Sequence, residues 1–119
     1  MLRLTENHKI SVIQRALITK QKLVLLEFHL RTKGQDVDAQ MCASKGVELQ
    51  AEIDVMLGEA MDAWRARAET LVTGLGDINN KLQSSILQIK KNVATAQNLI
   101  KALELVDDAI ALIRTLALA

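Results

Sequence analysis

The 119-residue chain contains no proline and no tyrosine, one cysteine (Cys42), one phenylalanine (Phe28) and one tryptophan (Trp64). So few aromatic residues, set against abundant Leu, Ala, Ile, Lys, Glu and Gln, exclude the usage of a sheet protein and point to helices. A single cysteine excludes an intrachain disulfide. Charge of one sign is also missing: 15 Lys and Arg stand against 14 Asp and Glu, so the chain as a whole has no strong field toward nucleic acid or anionic lipid. No apolar run approaches the ~20 residues of a membrane span, since even Ala109–Ala119 is broken by Arg114. Met1–Gln14 lacks the ~7-residue apolar core of a signal peptide, so a cytoplasmic setting is expected. Half of the residues are apolar, which is too rich for a disordered tail and predicts one folded domain over 1–119.

Catalytic and cofactor signatures are equally scarce. No GxxxxGK, GxGxxG or GxSxG occurs, which removes support for nucleotide or acyl-transfer chemistry. His8 and His29 lie 21 residues apart on one predicted helix, about 30 Å at helical rise, so they cannot share a metal within one chain. Neither has the Glu three places before it that a di-iron carboxylate bundle needs. Glu48 with Glu52 and Glu59 with Asp62 fall on a polar face and read as solvated pairs. No enzyme activity, metal or cofactor is expected.

What is present is apolar periodicity. Thr32-Lys33-Gly34-Gln35-Asp36 combines basic residues, a glycine suited to a left-handed helix end and an aspartate able to cap the next helix. Thr73-Gly74-Leu75-Gly76-Asp77 has the same grammar. Between them the sequence predicts helices at about 5–32, 38–73 and 78–116. Short connections make these antiparallel neighbours, an all-α, up-down-up, coiled-coil-like bundle. In the second helix Cys42, Gly46, Leu49, Ile53, Met56, Leu57, Ala60, Trp64, Ala68 and Leu71 share one stripe, with Trp64 as its bulkiest core anchor and Cys42 as a small buried apolar group. The third runs Ile78, Leu82, Ile86, Ile89, Val93, Ala96, Ile100, Leu103, Val106, Ile110, Ile113, Ala117, with a stammer from Ile100 to Val106.

Three helices leave apolar surface over. The first carries one stripe of Ile10, Leu17, Val24, Leu25 and Phe28 and a second, roughly 120 to 150° away at 100° per residue, of Val12, Ala16, Leu23 and Leu30. In the third, Leu105, Ala109, Leu112 and Leu116 line a face apart from the main seam. Val12, Leu23, Leu30, Leu105, Ala109, Leu112 and Leu116 are therefore expected to form an interface, completed by a homo-oligomer, a dimer first, or by a helical protein partner. The alternative is that the first helix bends or splits and covers the patch itself.

Charge also sorts by segment. Met1–Gly34 has seven basic and two acidic residues, net +5; Gln35–Gly76 has three and eight, net −5; Asp77–Ala119 has five and four, net +1. Opposite signs suit the first two helices as antiparallel neighbours and disfavour the first meeting its own copy side by side. The function these features imply is a non-catalytic protein–protein interaction module: an adaptor, chaperone-like binder or assembly subunit. A nucleic-acid-binding protein using the basic first helix is one alternative, although Lys9, Lys20 and Arg31 are interrupted by Glu6 and Glu27 and stacking aromatics are absent. A bundle binding a small ligand near Trp64 is another.

Overall fold

In the computed structural model the backbone is described for residues 2–59 and 61–118, and side chains for 8–59 and 62–116. The described residues form four helices: α1 Leu2–Thr32, α2 Asp36–Leu57, α3 Met61–Lys90 and α4 Thr95–Leu118. All-α architecture is as expected, but there are four rods where the sequence predicted three.

The turn at Gly34 forms where the sequence puts it. Gly34 adopts φ +76°, its N–H donates to Arg31 O at 3.0 Å, and Gln35 N–H donates to Leu30 O at 2.9 Å. This paired closure satisfies the last carbonyls of α1 through a left-handed residue. Gln35 makes no side-chain cap, and Asp36 and Asp38 instead stand in the first turn of α2, where their charge suits the helix dipole. The expected turn at Gly74–Gly76 is absent, because both glycines continue α3. Gly74 lies under Leu112 of α4, and a Cβ there would overlap Leu112 Cδ2. Glycine at this position admits a neighbouring helix and does not end its own.

The real breaks lie elsewhere. One follows Leu57, at Gly58, and separates α2 from α3. The other, at 91–94, reuses the Gly34 closure with asparagine: Asn92 has φ 59°, its N–H donates to Ile89 O at 3.0 Å, and Val93 N–H donates to Gln88 O at 2.9 Å. Asparagine tolerates the left-handed region better than other side-chain-bearing residues. The predicted third helix thus folds back on itself, and the molecule measures 49 × 22 × 18 Å.

Inter-helix contacts fix the topology. Lys20 on α1 donates to Gln50 on α2, and Leu23 packs toward Gly46, so α1 and α2 are antiparallel. Asn79 donates to the Arg15 carbonyl and Lys22 to Gln83, so α1 and α3 run parallel. Lys45–Asp107 at 2.7 Å and Arg114–Glu52 at 2.8 Å align α2 parallel to α4. Around the bundle the order is α1, α2, α4, α3; consecutive α2 and α3 lie diagonally opposite. The core runs through Leu23, Leu26, Leu49, Ile53, Trp64, Leu71, Leu82, Val106 and Ile113. Trp64 and Cys42 are fully buried, as their stripe predicts. Leu57, Val93 and Ile100 are exposed instead, because the breaks on either side change the helix phase. Ala60 and Ala117 lie outside the residues whose side chains are described.

Candidate interaction surface

The doubled stripe of the first helix is real, but its two faces exchange roles. Val12, Ala16, Thr19, Leu23, Leu26 and Leu30 recur every three or four residues and are buried, the spacing of a helix facing a bundle core. Ile10, Leu17, Val24 and Phe28 fall within about 40° of one another on the opposite side and are 54%, 47%, 49% and 68% exposed.

The seven interface residues expected from sequence are therefore corrected. Val12, Leu23, Leu30, Leu105, Ala109 and Leu116 are buried inside the chain's own core, and Leu112 is half-buried against Gly74. The reason is the break at 91–94: with a fourth helix, α3 covers the face of α4 that a straight third helix would leave open. Leu30, near the end of α1, and Leu116, near the end of α4, lie toward opposite ends of the bundle, since α1 and α4 run in opposite directions.

Beside the exposed α1 stripe lies a groove of about 460 Å³ between α1 and α2. Ala43, Gly46 and Ala51 on α2 keep its floor low, and Val24 and Val47 form its walls. Gly46 is not sterically forced, since a Cβ there would meet Leu23 Cδ2 at 3.7 Å; its effect is to deepen the groove. Val47 is 72% exposed. Polar groups mark the rim: Lys20 donates to Gln50 Oε1, Gln50 Nε2 donates to Asp54 Oδ1 at 2.9 Å, and Arg31 pairs with Glu27 at 3.1 Å. The groove is apolar along its length and charged at its edges, the composition of a surface that takes an apolar side chain or helix. Sequence reasoning named the α1 half of this face as a stripe but missed Val47 and Ala51. The available signal was that Val37, Val47 and Val55 fall opposite the core phase of α2.

The chemistry of the remaining candidates is limited. Cys42 touches the groove lining, yet burial, helped by Glu27 and Asp38, pushes its thiol up to about 11, so it is not a thiolate nucleophile near neutrality. Lys45 is raised by its bond to Asp107, and Arg114 by its bond to Glu52; both act as inter-helix ties. Trp64 is enclosed, with Lys9 Nζ 5.2 Å from its ring centroid, and its indole N–H has no acceptor among the described residues. Among those residues no group of three or more His, Cys, Asp or Glu could hold a metal, and no helix is long and apolar enough to cross a membrane. No family model, curated protein or solved structure matches the chain.

Proposed function

We propose that this chain is a non-catalytic protein–protein interaction module, a small helical adaptor or assembly subunit, whose working surface is the α1–α2 face. One observation carries the reading: Ile10, Leu17, Val24 and Phe28 stand in line on the side of α1 opposite its core stripe, and the groove beside them is floored by small residues. A surface helix that only covers a core has no use for a second apolar stripe. Use of the basic first helix against nucleic acid has less support, because Lys20, Lys22 and Arg31 are engaged by Gln50, Gln83 and Glu27, and Lys9 lies over Trp64. A ligand site at Trp64 has less support because that ring is enclosed. The reading includes a cytoplasmic setting, supported by a lone cysteine that has no partner for an intrachain disulfide.

The test is photo-cross-linking in cells of the source organism from a benzoylphenylalanine replacing Val24. A discrete adduct is expected, and it should vanish when Leu17→Lys and Phe28→Ser are introduced while helix content by circular dichroism is unchanged. An adduct that survives both changes, or none at all, would remove this face from the function.

A further inference from the structure

We propose that the occupant of the α1–α2 face is the same face of a second copy, turned about a twofold axis running along the helices, so that α1 of each copy lies over α2 of the other. The proposal rests on the reading of this face as an interaction surface, and names its partner.

Shape is the first argument. Within one chain the α1 side of the face presents large side chains, Leu17, Val24 and Phe28, and the α2 side presents Ala43, Gly46 and Ala51. A twofold axis along the bundle sets the large side of each copy on the small side of the other. Heights match without sliding. Lys20 faces Gln50 and Leu23 faces Gly46, so residues of α1 and α2 whose numbers sum to about 70 are level, and a rotation about the long axis preserves level. Val24 of one copy then meets Gly46 and Val47 of the other, Phe28 meets Ala43, and Leu17 comes to the level between Ala51 and Asp54.

Charge is the second argument. Residues 2–32 hold six basic and two acidic side chains, net +4, and residues 36–57 hold one and five, net −4. Placing α1 over α1 opposes like charges, whereas placing α1 over α2 opposes unlike ones. The same count disfavours an anionic lipid surface, since Asp36 and Asp54 lie on the α2 half.

Area sets the expected strength. At about 200 Å² for a fully exposed large side chain, the open fractions of Leu17, Val24, Phe28 and Val47 leave roughly 500 Å² of apolar surface per copy. A pair buries about 1,000 Å² before its polar rim is counted, near the lower bound of about 1,200 Å² for specific interfaces, so micromolar association is expected.

Sedimentation equilibrium of the whole chain from about 1 to about 100 μM should show conversion to twice the 13.1 kDa monomer. Val24→Asp and Val47→Arg should each weaken the dimer about 30-fold or more with helix content unchanged. An equimolar mixture of the two should regain most of the affinity, because one half of that heterodimer joins the introduced charges and the other half keeps Val24 on Val47. Loss with Val24→Asp but none with Val47→Arg would mean α1 on α1 and overturn the arrangement, as would a dimer indifferent to both. A chain still monomeric at the highest loading overturns the second-copy proposal. If its residue 24 nonetheless cross-links to another protein, the reading of the face survives; if vesicles rich in phosphatidylserine bind the monomer, or nothing cross-links, that reading falls as well.

Discussion

The hydroxyl of Thr19 on α1 lies 2.5 Å from Oδ1 of Asn79 on α3, with both residues buried. Asn79 Nδ2 donates to the Arg15 carbonyl at 3.0 Å, and the Thr19 hydroxyl is also 3.0 Å from that oxygen. A single hydroxyl proton serves one of these acceptors at a time, and donation to Asn79 gives the amide oxygen its partner. Together with the part-buried Lys22–Gln83 bond, the pair sets the register of two parallel helices whose remaining core contacts are interchangeable aliphatics.

Removing both members should cost less than the two single removals combined. Asn79→Leu leaves the Thr19 hydroxyl only its bond back to Arg15, and Thr19→Val leaves a buried amide oxygen without a donor. Each should lower stability by about 1–3 kcal/mol in urea titrations, and the double variant by less than their sum. Strict additivity would mean that the two side chains do not act as a pair.

Gly74 and Gly76, two residues apart in α3, should respond to alanine with opposite signs. At Gly76 a Cβ meets only the flexible side chain of Arg15, Nε at 3.3 Å and Cδ at 3.9 Å, so Gly76→Ala should stabilise by up to about 1 kcal/mol. At Gly74 the Cβ overlaps Leu112, so Gly74→Ala should destabilise by about 1–2 kcal/mol. Leu112→Ala in the same chain should relieve part of that cost. Equal gains at both positions in thermal unfolding would show that α4 does not press on Gly74.

These positions also explain what the sequence could and could not reveal. Core stripes with Trp64 and Cys42 are legible because helical periodicity is a local property. The number of helices is not: a glycine in a turn and a glycine beneath a neighbouring helix look alike in one dimension, and only the partner, Leu112, distinguishes them. At 91–94 the stop is carried by Asn92, whose left-handed propensity is weaker than that of glycine, inside an apolar pattern that continues through Val93. Once that break is missed, α3 has no return helix to cover, and Leu105 and Leu116 of α4, buried in the bundle, read as an exposed patch. On α1 both stripes were visible, but which one faces the core depends on where α2 and α3 sit.

The same turn supplies a prediction. Ala94 has φ 43°, in the region where a Cβ crowds the backbone, and Asn92 shares it at φ 59°. Ala94→Gly should raise stability by about 0.5–1 kcal/mol by releasing that strain, and Asn92→Ala should lower it by about 1 kcal/mol. Thermal denaturation of the two single variants checks both signs; stabilisation by Asn92→Ala would contradict the left-handed closure of α3.

Cys42 should make stability fall with alkaline pH. Burial raises its folded-state value from 9.0 to about 11, so the native chain holds the thiol proton more tightly than the unfolded chain. A group raised in this way contributes its full stability below the unfolded value of 9.0 and loses it as pH climbs toward about 11. Lysine titration overlaps this range, so the comparison that isolates the thiol is the native chain against Cys42→Ala, both unfolded in guanidinium at pH 8, 9.5 and 10.5. The stability difference between them should move in favour of Cys42→Ala across that series. Alkylation by iodoacetamide should at the same time stay slow in the native chain at pH 9.5 and become rapid on unfolding. A difference independent of pH, or a thiol alkylated as fast as a free peptide, would mean that Cys42 is hydrated through the adjoining groove and not sealed between α1 and α2.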